Sequence, residues 1–130
     1  MTDMAGNFEE LKCWQFCSDL KLYLKEEVLP KLPSDEKFEL YSQIRRASRS
    51  ATANIAEGWG RYHYKDQIKF LINARGSVSE VLDHIVEANS WNYIDIEVVE
   101  TVREKVNSCL QLINGYIRYI RKNDNNKNKP

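Results

Sequence analysis

The chain has 130 residues, 19 acidic and 19 basic residues, and a hydrophobic fraction of 42%. This length and composition are typical of one globular domain with its own core and exclude fibrous and fully disordered classes of protein. No apolar run reaches the roughly 18 residues of a membrane span, and the first residues lack the pattern of a secretory signal. We therefore expect a cytoplasmic protein without a membrane partner.

The three cysteines do not predict a disulfide framework, because their number is odd and no CxxC spacing occurs. Cys13, Cys17 and Cys109 are typical of small core residues. Cys13 and Cys17 lie one helical turn apart and could form half of a metal site, but no second pair has ligand spacing. We expect no metal and no cofactor.

The first predicted helix begins at Asn7, which with Glu10 forms a capping-box pattern, and its apolar pattern runs to Val28 before two prolines, Pro30 and Pro33. A second apolar spacing on this helix indicates either a self-association face or one wide sector facing the core. This second spacing comprises Cys13, Phe16 and Tyr23.

The second helix is predicted from an N-cap at Ser34 to about Glu57, with Gly58 as its C-terminal glycine. We expect Gly58 and Gly60 to reverse the chain through positive φ angles. The aromatic residues near them are expected to close the corner between helices two and three. These are Trp59, Tyr62 and Tyr64.

The third helix is predicted to open at Tyr64 or Lys65, and Asp95 is predicted to cap the fourth. Both have apolar residues separated by three and four positions, which is typical of core-facing helices. In helix three these are Leu71, Ala74, Val78, Val81, Ile85 and Ala88; in helix four they are Val99, Val102, Val106, Cys109, Ile113, Tyr116 and Ile120.

Four helices of similar length with short connections predict an all-α, up-down-up-down antiparallel four-helix bundle over residues 7–122. The polar termini, residues 1–6 and 123–130, are predicted to be disordered.

Charge alternates along the chain in four blocks. Residues 1–36 carry four lysines against eight acids, 37–75 eight basic residues against three acids, 76–104 one against seven, and 105–130 six against one. A neutral chain with such blocks can present one basic face.

Helix two combines small residues, which allow a neighbouring helix to approach closely, with three arginines. The small residues are Ala47, Ser48, Ser50, Ala51, Thr52 and Ala53. Spacings of three and four indicate that Arg45, Arg46 and Arg49 share one side of the helix. Glu57 lies four residues before Arg61, which predicts an ion pair.

The run QIRRASRSATANIAEGWGR, followed by Lys69-Phe70-Leu71, Ala74-Arg75-Gly76-Ser77 and Glu80, closely resembles the four-helix-bundle proteins encoded by intervening sequences of bacterial 23S ribosomal RNA genes. The resemblance extends from the Phe8-Glu9-Glu10-Leu11 and Trp14-Gln15 start to the end of helix four. The chain is also similar to the accessory proteins of diversity-generating retroelements, which share that bundle.

This resemblance implies a ring-like homopentamer without enzymatic activity. The retroelement proteins are thought to bind nucleic acid and a reverse transcriptase through basic surface, so the resemblance also implies RNA or DNA and a protein partner. The expected nucleic-acid-binding residues are Arg45, Arg46, Arg49 and Arg61, with Lys65, Lys69 and Arg75 widening the patch. Guanidinium groups suit this role because they bind phosphate oxygens in a bidentate manner.

Three other interpretations stay open. The arginines could be architectural, pairing with acids of this chain or a neighbouring subunit, in a scaffold that binds proteins and no nucleic acid. A ribonuclease would use His63 with Arg61 and Lys65, but sequence spacing places no serine or cysteine beside either histidine. The helix-three carboxylates Glu80, Asp83 and Glu87 indicate an acidic face rather than a di-metal site, because the Glu-x-x-His pairing is incomplete.

Overall fold

The computed structural model describes the backbone of residues 6–127 and the side chains of residues 6–124. The long helices are α1 (Lys12–Glu27), α2 (Leu40–Trp59), α3 (Tyr64–Ser90) and α4 (Ile96–Lys127), and short 3-10 helices lie at Phe8–Glu10, Leu29–Lys31 and Ser34–Glu36. No strand occurs within residues 6–127, so this part of the chain is all-α, as predicted. The disorder predicted for residues 1–5 and 128–130 falls outside the described residues.

The predicted capping box is present, but it closes a 3-10 helix ahead of α1. The Glu9 amide donates to Asn7 Oδ1 at 2.8 Å, and the Asn7 amide donates to Glu10 Oε1 at 3.3 Å. α1 itself begins at Lys12 and ends at Glu27, close to the predicted end at Val28. A 3-10 turn that contains Pro30 follows, because proline cannot continue the helix.

The predicted N-cap at Ser34 is wrong. Ser34 belongs to a 3-10 helix without a side-chain cap, and α2 begins six residues later at Leu40. Its first amide is satisfied by a carboxylate instead, because Leu40 N–H donates to Glu36 Oε1 at 3.2 Å. Glu36, rather than Ser34, therefore satisfies an amide at the start of α2.

The predicted role of Gly58 is also wrong, because α2 continues through it to Trp59. None of the glycines in the described range has a positive φ. Gly58 is buried, and a Cβ there would lie 3.0 Å from the Gln67 carbonyl oxygen and 3.2 Å from Phe70 Cβ. Gly58 is thus explained by the close approach of α3 rather than by chain reversal.

The predicted core of α3 and α4 is confirmed, since every apolar position named for these helices is buried. α3 begins at Tyr64 and α4 at Ile96, as their predicted starts indicate. α4 continues to Lys127 rather than ending at Lys122. Neither glycine nor proline, the strongest helix-stop residues, lies between those two lysines.

The four helices form a helical bundle around one core, in which α1 and α3 each pack against α2 and α4. The second apolar spacing of α1 mostly faces inward. Cys13 is buried, and Tyr23 packs partly into the core with the Lys105 ammonium 5.2 Å from its ring. Only Phe16, at 44% exposure, remains open on this side, so core packing accounts for most of the wide apolar sector.

Candidate nucleic-acid interface

A basic groove of about 450 Å³ lies between α1 and α2. We define it by its four cationic side chains, which are Lys21, Lys25, Arg45 and Arg49. Each helix contributes two of them at a spacing of four residues, which places both on the same face of that helix. Tyr41 and Ser48 add hydroxyl-bearing side chains to the lining.

One hydrogen bond links the two walls of the basic groove, and two more lie within the α2 wall. Lys21 Nζ donates to Thr52 Oγ1 at 3.0 Å, and Thr52 Oγ1 donates to the Arg49 carbonyl oxygen at 3.1 Å. Ser48 Oγ donates to the Arg45 carbonyl oxygen at 3.1 Å. The ammonium group from α1 is thereby held next to the α2 arginines.

The basic groove has no internal neutralising charge. None of the residues that line it is acidic. Within the described side chains, no carboxylate forms an ion pair with Lys25, Arg45 or Arg49, and these three residues are exposed. Four like charges in one concave surface raise the local concentration of anions, so the groove is suited to a polyanion.

Arg46 is separated from its two neighbours. It lies about 100° around the helix from Arg45, since an α-helix has 3.6 residues per turn. Its guanidinium group is paired with the Glu80 carboxylate of α3, and its Nε donates to Gln43 Oε1 at 3.1 Å. His84 Nε2 lies 2.9 Å from the same Glu80 carboxylate. The expectation that the three arginines share one side of α2 is therefore wrong for Arg46.

Arg61 and Arg75, also predicted to bind nucleic acid, contact side chains of the same chain instead. Arg61 pairs with Glu57 at 2.8 Å, as the spacing predicts, and its Cζ lies 4.6 Å from the centre of the Phe70 ring. Arg75 Nη1 donates to Asn114 Oδ1 of α4 at 2.9 Å. Both guanidinium groups therefore help to join helices.

Lys65 and Lys69 lie on the exposed surface of α3. The seven residues predicted from the sequence are thus distributed over the groove, the contacts of α3 with α2 and α4, and the exposed surface of α3. Only Arg45 and Arg49 enter the basic groove. Sequence reasoning missed Lys21 and Lys25; their spacing of four on helix one was a usable signal, but which helix faces the arginines depends on the fold.

The residues considered for catalysis do not form a cluster. His63 is exposed, with its ring 5.0 Å from that of Tyr62, which is itself 90% exposed. Trp59 and Tyr64 pack against the core, so two of the three corner aromatics close the corner as predicted. In the part of the chain that is described, no three His, Cys, Asp or Glu side chains come together as a metal site, and none of the helices is long and apolar enough to cross a bilayer.

Comparison with known proteins identifies one family. The family model described as 23S rRNA-intervening sequence protein matches residues 9–115. The matched range contains all four basic side chains of the groove, the whole of α2 and α3, and most of α4. No curated protein matches the chain.

Proposed function

The chain belongs to the 23S rRNA-intervening sequence protein family, and from this premise we propose that it is a non-enzymatic protein whose basic groove binds the phosphate backbone of RNA or DNA. The single observation that carries the proposal is the convergence of four cations from two helices, with no acid in the lining. Arginine binds phosphate through paired hydrogen bonds, while lysine acts as a point charge.

Binding of this kind reads the backbone and not the base sequence. Cations that neutralise phosphates release condensed counterions, so affinity falls steeply with salt and is similar for different sequences. The half-buried Tyr41 ring and the Ser48 hydroxyl supply no base-reading pattern, which further supports sequence-independent binding. A nucleic-acid ligand of this type is consistent with a cytoplasmic protein.

We propose binding rather than catalysis because the lining of the basic groove includes no histidine or carboxylate that could act as general acid or base. His63, the residue a nuclease would use, lies at the corner between α2 and α3. The proposal therefore assigns no catalytic residue and no cofactor.

The proposed assembly is a ring-like homopentamer of up-down-up-down bundles. The alternating direction is supported by contacts between neighbouring helices. Ser50 and Ser77 are 2.9 Å apart between α2 and α3, and Gly58 approaches Phe70 further along the same two helices, so residue numbers rise on one as they fall on the other. The pentamer rests on the family resemblance alone.

The proposal is tested by fluorescence anisotropy of labelled single-stranded RNA and duplex DNA across a salt series. We compare the wild type with Arg45→Gln/Arg49→Gln and with Arg118→Gln/Arg121→Gln. The second pair is the matched control because it removes two exposed arginines from α4, outside the groove. Circular dichroism and measured mass confirm that each variant keeps its fold and assembly.

We expect log affinity to fall linearly with log salt for the wild type and the control. The slope for the groove variant should be shallower by about 1 to 2, because each phosphate contact contributes roughly 0.7 to 0.9. Absence of binding by the wild type at low salt, or equal effects of the two double variants, would contradict the assignment.

A further inference from the structure

The basic groove is larger than a surface that contacts phosphates alone has to be. Its four cations can bind phosphate oxygens without any cavity, yet the groove encloses about 450 Å³ between α1 and α2. Clefts that hold small organic molecules have volumes of about 300–1,000 Å³. The groove therefore has room for a ring system in addition to a phosphate group.

The floor of the basic groove is apolar, whereas its border is charged. Leu24 and Leu29 line the groove and are buried, so they lie at its floor. Three of the four cations are exposed, so they lie at the border with solvent. Phosphate groups match the border, and a flat apolar ring matches the floor, because removing apolar surface from water is favourable.

Each wall of the basic groove also presents apolar surface next to its cations. On α1, Leu22 lines the groove and is 49% exposed. On α2, Tyr41 is half-buried and lies four residues before Arg45, so the ring and the guanidinium group share one face of the helix. A cationic groove that contains an aromatic ring is typical of sites for single-stranded nucleic acid, where the ring stacks on a base.

A nucleobase has the shape and polarity that the floor requires, but only a single strand can supply one. In a duplex, the bases are paired and stacked in the interior, so the phosphates of a duplex could reach the cations while the apolar floor stayed empty. An unpaired strand can turn a base out of line and stack it on an aromatic side chain. The shape of the groove therefore favours an unpaired strand.

We infer that the basic groove binds single-stranded nucleic acid in preference to duplex, with phosphates at the four cations and one base inserted between Leu22 and Tyr41 over the leucine floor. The inference rests on the proposed function and names the class of ligand for the same site. Stacking accepts any base because every base has an aromatic face, so binding remains independent of sequence.

The test uses three DNA probes of equal length in a fluorescence anisotropy assay: a mixed-sequence single strand, the same backbone without bases, and the strand annealed to its complement. We expect the intact strand to bind roughly 5- to 100-fold more tightly than the abasic strand, which is the gain from stacking one base on an aromatic side chain. The two single strands should lose affinity with salt at the same slope, because they carry the same phosphates. The duplex should bind more weakly than the intact strand although it carries more phosphates.

Two substitutions identify the surfaces that contact the base. Tyr41→Leu keeps an apolar side chain but removes the aromatic face, and Leu22→Gln removes apolar surface without changing charge. Each should lower affinity for the intact strand severalfold and change affinity for the other two probes by less than about twofold. Tyr62→Leu and Ile72→Gln are the matched controls at exposed positions outside the groove, and they should bind like the wild type. Circular dichroism confirms that each variant is folded.

The outcomes separate this inference from the proposed function. The inference alone is overturned if the abasic strand or the duplex binds as tightly as the intact strand, or if Tyr41→Leu weakens all three probes equally, while Arg45→Gln/Arg49→Gln still weakens all three. If Arg45→Gln/Arg49→Gln weakens none of the probes, or if the wild type binds none of them at low salt, the proposed function fails and the inference fails with it.

Discussion

The cysteines show how burial controls chemistry at the scale of one residue. Cys13, Cys17 and Cys109 are all buried in the core and free of disulfides. Burial raises the pKa of the Cys13 thiol to about 12. The hydrogen bond to Cys109, together with burial, raises the pKa of the Cys17 thiol. Because the thiolate is the reactive form, Cys13 and Cys17 are protected both by burial and by protonation. The hydrogen bond with Cys17 lowers the pKa of the Cys109 thiol, so burial alone protects that residue.

We therefore predict that the folded protein gives almost no reaction with a thiol-specific disulfide reagent at pH 8, whereas the protein in denaturant gives three thiols per chain. The measurement is the absorbance of the released thiolate with time. Rapid labelling of one cysteine in the folded state would contradict the packing of α1 against α4.

Gly58 is a position at which one added atom, the Cβ of alanine, should change the stability of the fold. The Gly58→Ala change should lower the free energy of unfolding by about 1–3 kcal/mol, because the new Cβ would overlap the Gln67 carbonyl oxygen and Phe70. Gly60→Ala is the control, since its Cβ would lie 3.6 Å from the nearest atoms and the Gly60 φ is −78°. Urea denaturation compares the two; equal stability would show that α3 does not approach α2 closely at Gly58.

At the scale of the element, α2 uses small residues on its buried side to admit its neighbours. Ala47 and Ala51 are buried, while Ala53 on the same helix is exposed. The Ser50 and Ser77 hydroxyls lie 2.9 Å apart, and Asn54 Nδ2 donates to Ser50 Oγ at 3.0 Å. Small and polar side chains therefore meet directly where α2 lies against α3.

We predict that Ala51→Leu lowers the free energy of unfolding by about 1–3 kcal/mol, because the added volume has no free space in the core. Ala53→Leu carries the same change on the exposed side and should shift stability by less than about 0.5 kcal/mol. Thermal and urea denaturation of both variants measure the difference. A larger loss for Ala53→Leu would mean that the buried side of α2 has been wrongly assigned.

The spacing of apolar residues predicted the buried faces of the helices better than capping residues predicted where the helices begin and end. The three-and-four spacing named the buried residues of α3 and α4, because burial on one face is the property that spacing records. Helix ends were less predictable. Ser34 has a residue type that suits an N-cap, but Glu36 satisfies the first amide of α2 instead. Gly58 is required by the close approach of α3 and does not end the helix. The role of Gly58 depends on a tertiary contact with α3, which local sequence does not encode. The Glu36 contact is local, since it spans four residues, but the residue type at Ser34 gave no sign that α2 would begin one turn later.

The candidate site was only partly predictable for the same reason. The cluster of arginines in helix two predicted Arg45 and Arg49 correctly as neighbours. Helix periodicity turns Arg46 about 100° away from Arg45, but its pairing with Glu80 depends on where α3 lies. Lys21 and Lys25 join the basic groove only because α1 packs beside α2. Charge is a property of residues, whereas a charged surface is a property of the folded molecule.

At the scale of the whole molecule, one hydrogen bond joins the connection between α3 and α4 to the 3-10 helix that precedes α2. Tyr93, between α3 and α4, donates its hydroxyl to Glu36 Oε2 at 2.8 Å, ahead of α2. This hydrogen bond to Glu36 raises the pKa of Tyr93 to about 12, and partial burial adds to the effect. The neutral phenol is therefore favoured in the folded state.

The stabilising contribution of this contact should be complete below pH 10 and lost as the pH rises towards about 12, because deprotonation removes the donor and places a charge beside Glu36. We predict that Tyr93→Phe has lower stability at neutral pH and a smaller further loss between pH 10 and 12. Tyr62→Phe, at an exposed position, is the control and should behave like the wild type. Urea midpoints across this range provide the measurement, and parallel curves for all three proteins would contradict the coupling.

The most direct measurement of the central claim is the accessibility of individual lysines to an amine-acylating reagent, read by mass spectrometry with and without bound RNA. If the phosphate backbone lies in the basic groove, acylation of Lys21 and Lys25 falls severalfold on binding, while Lys65 and Lys69 on α3 keep the rate they have in free protein. Loss of acylation at Lys65 and Lys69 with unchanged Lys21 and Lys25 would contradict the account and place the nucleic acid on α3.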